Sequence, residues 1–373
     1  MMKALLVTIF KVPNFGSVLQ AYATEQVLES LGTECKVLNY DHINSEWSVA
    51  HGVPKQGLKN KIGRLIGLKP HHRKEKKLQV FIKQNLHLTK SYKRIDDIRK
   101  KEGDAYDLYV VGSDQVWNTR FTNCDPVYLL DFVKDEHAHC ISVSSSFASK
   151  SIDEKYKSVF EKNFKKFSSF SVREEGGVAI LNQMGYDAKL VLDPTLLLSA
   201  DKWNVLRTST KKKQEKYILL YLLTYAFEPR PLVFQVLEYY QKQLGCQIVA
   251  LEGYEDCIGQ TSLKIEDATD SSVADFLDLF ANASLVVTSS FHGTAFALNY
   301  GRPLVSITPS GGDDRQGCLL NQLGLQQCQI SVLGGVNLKQ LNPFYDVKEE
   351  QLKLQTLRDD SLSWIAQSLK YNR

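Results

Sequence analysis

Short apolar runs rich in β-branched residues alternate along the chain with segments of helical length. Each run is predicted to form a buried strand, because alternation of this kind is typical of parallel sheets covered by helices. Six runs precede residue 200 and five follow it. The predicted strands are 4–10, 35–40, 107–112, 139–146, 167–172 and 188–192 in the first half, and 217–224, 246–251, 283–288, 303–307 and 329–333 in the second.

A polar segment near residues 200–215 separates the two halves, and a chain of 373 residues is long enough for two cores. We therefore predict an α/β protein with two Rossmann-like domains, at 1–205 and 206–345, whose helix-flanked parallel sheets face a central cleft. Leu, Trp and Ile recur at helical spacing in 346–373, which predicts a closing amphipathic C-terminal helix.

Composition narrows the class of protein. The chain is 43% hydrophobic and 24% charged and has no apolar run of about 20 residues, which is typical of a soluble globular protein. Its first residues indicate a strand better than a signal peptide, so we expect a cytoplasmic protein. The seven cysteines are scattered without metal-site spacing, which predicts reduced thiols and no structural metal. A net charge of +4 is too small to indicate nucleic-acid binding.

One local charge asymmetry stands out. Residues 55–101 contain sixteen Lys or Arg against three acids. The segment has two interpretations, a solvated helical face or mobile loop, and a dock for an anionic membrane or a diphosphate-linked substrate at the inner face of the cell membrane.

Strand-to-helix junctions are the places to look for chemistry, because ligands of parallel sheets bind beyond the carboxyl ends of the strands. After the first strand, Asn14 or Ser17 caps a helix whose amides attract anions, and Gly16 permits close approach of a ligand. A capped helix without a ligand is the alternative. Gln20, one turn further, is not explained by capping alone.

The third predicted strand leads directly into a carboxylate, an indole and an amide, at Asp114, Trp117 and Asn118. This combination suits a sugar, since polar groups bind hydroxyls and a flat ring packs on the apolar face of the sugar. The alternative is a turn with a packed tryptophan.

Arg173 ends another predicted strand, where its fork of donors suits a phosphate or carboxylate. A surface pair with Glu174 or Glu175 is the alternative. Asp193, before a proline, is taken alone as a turn residue.

His292 follows the strand 283–288 and precedes a helix, with Ser289, Ser290 and Gly293 around it. A histidine at such a junction can donate a proton to an anionic ligand. Arg315 follows the next strand on a glycine-rich loop and is a candidate second anion clamp. The neighbouring acids 313–314 are weak grounds for a metal.

Six of these stretches, taken together and in order, resemble the polysaccharide pyruvyl transferase family, and they extend over most of the chain. They are N-F-G-S-V-L-Q-A-Y-A (14–23), V-V-G-S-D-Q-V-W-N (110–118), Y-L-L-D-F-V (128–133), S-V-R-E (171–174), V-L-D-P-T-L-L-L (191–198) and S-S-F-H-G-T-A-F-A-L (289–298).

The resemblance implies a fold similar to two-domain GT-B glycosyltransferases. It also implies transfer of a pyruvyl unit from phosphoenolpyruvate to a sugar as a ketal, with release of phosphate, on a bacterial capsule, exopolysaccharide or lipid-diphosphate-linked precursor. The first domain would take the acceptor and the second the donor. Phosphoenolpyruvate is then a co-substrate, and no other cofactor is expected.

The family's motifs fall on His292, expected to be the general acid, and on Arg173, expected to be a second catalytic residue. Asp114 is expected to orient or deprotonate the acceptor hydroxyl. The remaining expected contacts divide between the two substrates. The donor contacts are Ser290, Gly293, Arg315 and Arg173, and the acceptor contacts are Asn14, Ser17, Gln20, Trp117 and Asn118.

Two other functions compete with this hypothesis. A GT-B glycosyltransferase that uses a nucleotide sugar would have a cleft of the same construction and would release a nucleoside diphosphate. A non-catalytic carbohydrate-binding protein would bind saccharides without phosphoenolpyruvate. The sequence leaves open the acceptor sugar, the stereochemistry of the ketal, metal dependence and the oligomeric state.

Overall fold

A computed structural model of the chain describes residues 1–52, 70–135, 137–207, 216–225, 227–309, 315–334 and 338–370. The acids 313–314, residues 55–69 of the basic segment and residues 208–215 of the polar segment lie outside the described residues. The chain forms two compact units. Unit 1 comprises Met1–Ile62, Val80–Leu197 and Leu357–Arg373, and unit 2 comprises Gly63–Gln79 and Leu198–Thr356. The sequence-based boundary at residue 205 stays a prediction.

Unit 1 is built on a six-stranded, wholly parallel sheet in the order β2-β1-β3-β4-β5-β6. The strands are β1 (Met2–Val7), β2 (Thr33–Val37), β3 (Leu108–Val111), β4 (His139–Ser142), β5 (Phe167–Val172) and β6 (Ala188–Leu190). The central strand β3 is buried at every position, as a strand covered on both faces must be, whereas the edge strand β2 alternates buried and exposed residues.

Unit 2 has a second six-stranded parallel sheet in the order β12-β11-β10-β7-β8-β9. Its strands are β7 (Tyr217–Tyr221), β8 (Gln247–Glu252), β9 (Ile265–Asp267), β10 (Leu285–Thr288), β11 (Leu304–Thr308) and β12 (Gln329–Ser331). All eleven predicted runs overlap strands, so the α/β class with two helix-flanked parallel sheets is confirmed. The strand β9 was not predicted.

Helices connect the strands of both sheets. Those up to residue 197 are α1 (Phe15–Ser30), α2 (Glu46–Ala50), α3 (Pro70–Asn85), α4 (Ile95–Lys101), α5 (Thr119–Thr122), α6 (Glu154–Phe164), α7 (Glu175–Gln183) and α8 (Pro194–Leu197). Those that follow are α9 (Ala200–Asn204), α10 (Leu232–Leu244), α11 (Tyr254–Cys257), α12 (Val273–Asn282), α13 (Phe291–Asn299), α14 (Arg315–Leu323) and α15 (Val347–Ser368). Short 3₁₀ turns lie at His42–Asn44, Pro126–Leu129 and Gln326–Cys328.

The predicted C-terminal helix is present as α15. Its residues from Leu357 onward belong to unit 1, where the Arg358 Nε donates to the Leu196 carbonyl at 2.7 Å and the Ser361 hydroxyl accepts from the Leu192 amide at 3.1 Å. These contacts tie the helix to the segment that follows β6.

The described residues show the state of the cysteines and the character of the helices. All seven cysteines lie in described segments and are buried, and no disulfide joins any two of them. Among the described helices, none has the length and apolar character needed to cross a membrane.

Candidate functional site

The strand orders place a topological switch point in each sheet. In unit 1 the chain leaves β1 towards β2 on one side, and β3 lies on the other side of β1. In unit 2 the strand β7 stands in the same way between β8 and β10. Ligands of open parallel sheets bind at the carboxyl ends of the strands beside such a point, because the connections diverge there and leave a crevice. The ends of β1, β3, β7 and β10 are therefore the candidate sites.

His292 lies at the switch point of unit 2. The strand β10 ends at Thr288, and the Ser290 hydroxyl caps α13 by accepting from the Gly293 amide at 3.4 Å. The histidine is in the first turn of this helix and is 7% exposed. Helix N-termini carry partial positive charge and unsatisfied amides, so the surroundings of His292 favour an anionic ligand.

Phe291 brings His292 and Arg315 into one neighbourhood. The ring of His292 meets the ring of Phe291 edge-on with 5.4 Å between centroids, and the Arg315 guanidinium lies 5.8 Å from the centroid of Phe291. Arg315 is the first residue of α14, which follows β11. The predicted cation and the predicted acid of the donor site thus share one aromatic neighbour.

The end of β10 is fixed to β7 by short polar side chains. The Ser289 hydroxyl accepts from the Leu223 amide at 2.8 Å and donates to the Leu223 carbonyl at 2.9 Å. The Thr288 hydroxyl donates to the Tyr221 carbonyl at 2.8 Å. These bonds cross the switch point, so they hold the start of α13 in place without a ligand.

Gly293 allows α13 to approach β7 and β10 closely. A Cβ atom at this position would lie 2.2 Å from the Thr288 hydroxyl and 2.8 Å from the ring of Tyr221. The close approach of the helix to these strands therefore requires glycine. Gly293 thus has a packing role in addition to its predicted role at the donor site.

We expect Gly293→Ala to lower the free energy of unfolding by about 1–3 kcal/mol, because overpacking displaces neighbouring atoms. Chemical denaturation measures this change. Gly334→Ala is the control, since the nearest atom to a Cβ there is 3.9 Å away. Equal effects of the two substitutions would contradict the close packing of α13.

A buried ion-pair cluster lies at the carboxyl edge of the sheet in unit 1. It consists of Asp114 after β3, Arg173 after β5 and Asp193 after β6. One guanidinium nitrogen of Arg173 lies 3.0 Å from the Asp114 carboxylate, and another lies 2.5 Å from the Asp193 carboxylate. Ser113 adds a bond to Asp193 at 3.0 Å, which ties the end of β3 to the same cluster.

This geometry favours a positioning role for Arg173 over the predicted contact with a substrate. The side chain of Arg173 has no exposed surface and is bound to a carboxylate on two sides. Burial acts to lower its pKa, but the nearby Asp193 and Asp114 charges outweigh burial and raise it. The guanidinium therefore stays charged and holds the two carboxylates apart.

Asp114 is the member of the cluster nearest to the start of α1. Its other carboxylate oxygen accepts from the Ser17 hydroxyl at 2.8 Å, and its backbone is in the left-handed region at φ 68°. Non-glycine residues held in this region are often found at ligand sites. Asp114 and Ser17, 5% and 8% exposed, thus link the ends of β3 and β1 at the switch point.

Asn14 and Gln20, the other two residues predicted at the first junction, bind backbone groups. Asn14 caps α1 by accepting from the Ser17 amide at 3.3 Å. Gln20 is fully buried, and its amide donates to the carbonyls of Ile9 and Ser17 at 2.9 and 2.8 Å. The predicted contact of Gln20 with a sugar is not favoured here, because its donors are used to fix the loop after β1.

Trp117 lies in the aromatic core of unit 1, which favours the packed-tryptophan interpretation. It is 1% exposed, packs on Phe147 and Phe164 at 5.0 and 4.8 Å between centroids, and donates its indole N–H to the Tyr128 carbonyl at 3.1 Å. A ring so enclosed offers no face to a sugar. Asn118 caps α5 and donates to Gln115 at 2.7 Å.

Asp193 is a member of the site that sequence reasoning missed. It was taken for a turn residue, and it does accept from the Thr195 amide at 3.0 Å, as a turn aspartate would. Its position directly after a predicted strand was the available signal, because the carboxyl ends of parallel strands meet at one edge.

The described part of the basic segment binds carboxylates of unit 2. Lys74 is 3% exposed and lies 2.6 Å from the Glu252 carboxylate. Arg73 and Lys77 both bind Asp270, and although partial burial acts the other way, their hydrogen bonds lower the pKa of that carboxyl. These contacts favour the helical face over membrane docking, but the face is not solvated throughout, because Lys74 is buried and paired with Glu252.

We expect Lys74→Met to lower the free energy of unfolding by about 3–5 kcal/mol, because it leaves the Glu252 carboxylate unpaired in a partly buried place. Lys77→Met, at a half-exposed pair, is expected to cost about 1 kcal/mol or less. Thermal and denaturant unfolding measure both. Unchanged stability of the Lys74 variant together with weaker binding to anionic vesicles would restore the docking hypothesis.

One set of described residues has the composition and spacing of a metal site. Ligand atoms of Glu25, Glu29 and His87 all lie within 4.8 Å of one another. Burial raises the pKa of Glu25 to about 7, and this carboxylate accepts a hydrogen bond from the His87 amide at 2.9 Å. The expectation that the chain needs no metal stays a prediction.

The chain is similar in fold to several solved structures of UDP-GlcNAc 2-epimerases. The enzyme from Neisseria meningitidis bound to UDP-GlcNAc is 10% identical with a TM-score of 0.52, and the match covers 99% of both chains. A putative epimerase from Listeria monocytogenes is 14% identical with a TM-score of 0.51, over 98% of this chain and 91% of the other. The Methanocaldococcus jannaschii enzyme with UDP-GlcNAc and UDP is 14% identical with a TM-score of 0.50, over 96% and 99%. These likenesses establish a GT-B fold.

No functionally curated protein matches the chain significantly. A family model described as polysaccharide pyruvyl transferase matches residues 14–311. The match begins at the cap of α1 and extends beyond β11, so it includes His292 and the ion-pair cluster of Asp114, Arg173 and Asp193, whereas Arg315 lies just after it. The chain belongs to the polysaccharide pyruvyl transferase family.

Proposed function

We propose that the protein transfers a pyruvyl unit from phosphoenolpyruvate to a sugar of a bacterial surface polysaccharide or of its lipid-linked precursor, and so forms a ketal and releases phosphate. The observation that carries this proposal is the setting of His292, in the first turn of α13 at a switch point, with Arg315 beside the same aromatic ring. A donor with a phosphate and a carboxylate suits this combination of helix amides, a histidine and an arginine.

The chemistry requires a proton at the methylene carbon of phosphoenolpyruvate. Protonation leaves a cationic carbon that bears the phosphate ester and the carboxylate. An acceptor hydroxyl attacks this carbon, phosphate leaves, and a second hydroxyl closes the ketal. His292 is the proposed acid, because a histidine titrates near neutral pH and the anionic donor would favour its protonated form. Arg315, Ser290 and the Gly293 amide would hold the donor and stabilise its charge.

Asp114 and Ser17 are the proposed acceptor contacts in unit 1. The Ser17 hydroxyl and the Asp114 carboxylate join the ends of β1 and β3, and Arg173 holds Asp114 from the opposite side. We assign Arg173 the task of keeping Asp114 correctly oriented, and Asp193 the task of holding Arg173 in place. Asn118 and Asn14 would fix the backbone around this site through their caps.

The test is phosphate release from phosphoenolpyruvate, with and without a panel of galactose-, glucose- and mannose-ended acceptors. Acceptor-dependent release, together with a product heavier by one pyruvyl unit, supports the proposal. Binding of phosphoenolpyruvate by the protein alone provides a second readout. Failure to bind phosphoenolpyruvate, combined with release of a nucleoside diphosphate from a nucleotide sugar, would favour a glycosyltransferase instead.

A further inference from the structure

A histidine–aspartate pair that no part of this mechanism uses lies at the carboxyl edge of the sheet in unit 1. His42 begins the 3₁₀ turn that follows β2, and Asp125 precedes the turn after α5. The His42 Nδ1 lies 3.0 Å from the Asp125 carboxylate. The strand β2 is the neighbour of β1, so this pair shares an edge of the sheet with Asp114 and Ser17.

Asp125 is bound as an ionised carboxylate would be. It accepts from the Tyr40 hydroxyl at 2.8 Å and from the Val127 amide at 3.0 Å, in addition to His42. Its side chain is 1% exposed. A buried carboxylate with these partners accepts a hydrogen bond from the Nδ1–H of the histidine, which fixes the tautomer that has a lone pair on Nε2.

The Nε2 of His42 has no hydrogen-bond partner among the residues that the structure describes. Some polar side-chain atoms of the described residues are enclosed by protein and have no partner, such as one oxygen of Glu25 and the hydroxyl of Ser146. The Nε2 of His42 is not among these enclosed atoms. The histidine side chain is 10% exposed. The free nitrogen therefore reaches solvent, as a nitrogen that binds a substrate must.

An exposed aromatic ring neighbours the ring of His42. Phe121 is 45% exposed, and its ring lies 6.2 Å from the ring of His42 at an angle of 30°. An exposed phenylalanine side chain presents an apolar face, and such a face packs against the CH groups of a pyranose ring. Tyr128 is a second aromatic neighbour of His42, with 5.5 Å between the ring centroids.

The strand order places the pair and Asp114 at one edge of unit 1. His42 follows β2 and Asp114 follows β3, and these two strands lie on either side of β1. Burial raises the pKa of the neighbouring Tyr128 well above its usual value, and the charges of Asp125 and Asp114 raise it further.

We propose that His42, oriented by Asp125, and Phe121 form an acceptor-saccharide subsite, in which the sugar ring packs on Phe121 and one of its hydroxyls binds the Nε2 of His42. This inference deepens the proposed function and rests on it for the catalytic role. Formation of a ketal consumes two hydroxyls, so two oxygens each form a C–O bond and lose a proton. The methylene carbon gains one proton, and the other leaves with the phosphate. His42 receives the proton of one hydroxyl as its oxygen attacks, and Asp114 serves the other.

Saccharide binding without phosphoenolpyruvate tests the subsite independently of the transfer reaction. Saturation-transfer NMR with methyl glycosides of galactose, glucose, mannose and N-acetylglucosamine is the measurement. We expect Phe121→Ala to weaken binding about tenfold or more and Phe121→Trp to retain it. Phe344→Ala, at a ring that is also 45% exposed, is the matched control. No binding by the wild-type protein, or equal binding by all variants, overturns the subsite.

Kinetics test the role of His42. We expect His42→Gln to lower kcat for acceptor-dependent phosphate release by about 10²–10⁴-fold with little change in KM, because it removes a proton acceptor. Phe121→Ala should raise KM for the saccharide at nearly constant kcat. His51→Gln, at an exposed histidine of unit 1, should change neither. Unchanged kcat in His42→Gln overturns the catalytic role. Saccharide binding without any phosphate release from the wild type refutes pyruvyl transfer and leaves the subsite intact.

Discussion

Replacing His292 with asparagine is expected to lower kcat for phosphate release from phosphoenolpyruvate by about 10²–10⁴-fold, the usual contribution of a positioned acid. The imidazole is the proposed proton donor at the start of α13, and asparagine has no proton to give at neutral pH. KM for phosphoenolpyruvate should change far less, because Ser290, Gly293 and Arg315 remain. Steady-state phosphate release measures both constants.

The control for this substitution is a measurement of whether unit 2 keeps its fold. His292 is 7% exposed, so its replacement also changes packing. An unfolding midpoint close to that of the wild type shows that the loss of turnover is chemical. Near-wild-type turnover of a folded His292→Asn protein would remove the histidine from the mechanism.

Replacing Arg173 with alanine is expected to lower the free energy of unfolding by about 3–5 kcal/mol. The guanidinium is the cation between Asp114 and Asp193 in a buried place, so its loss leaves two carboxylates unpaired. Denaturant unfolding measures the change. Arg94→Ala is the matched control, because its pair with Glu46 is more than half exposed and should contribute about 1 kcal/mol or less.

This substitution also separates the two roles considered for Arg173. If Arg173 is a positioning residue, the Arg173→Ala protein should be less stable, and its acceptor site should be disturbed through Asp114. If Arg173 binds the donor, the variant should have a higher KM for phosphoenolpyruvate and an unchanged stability. The second result would contradict the buried ion-pair cluster and restore the role that the family motif implied.

The central strands of both sheets were predictable because they are buried on both faces. The run 108–111 is apolar at every position and 285–288 is apolar up to Thr288, and only strands or buried helices have that pattern. The strand β9 escaped prediction since it is three residues long, lies at an edge, and contains two exposed acids. Its pairing with β8 comes from tertiary structure, which no local pattern encodes.

The positions of the candidate residues were predictable, and several of their roles were not. Strand ends located His292, Asp114 and Arg173, because parallel strands present their carboxyl ends on one edge. Burial of a particular side chain depends on what the rest of the chain packs against it. Trp117 therefore appeared to be a sugar platform and is enclosed in the core, whereas Lys74 appeared to be a surface cation and is bound to Glu252.

The pair of His42 and Asp125 could not have been found from sequence. The two residues are 83 positions apart, and each follows a different strand. Neither lies in a motif that suggests a partner for the other. Their contact depends on the order β2-β1-β3, which brings the segments after β2 and β3 to either side of β1. Long-range pairs of this kind require the folded chain.

The most direct test of the central claim follows labelled phosphoenolpyruvate into a saccharide. The wild-type protein is incubated with phosphoenolpyruvate carrying ¹³C at the enol carbon and with the acceptor panel, and the products are examined by carbon NMR and mass spectrometry. Pyruvyl transfer predicts a quaternary ketal carbon in the saccharide and one phosphate released per label incorporated. Release of a nucleoside diphosphate from a nucleotide sugar, with no label in any saccharide, would contradict it.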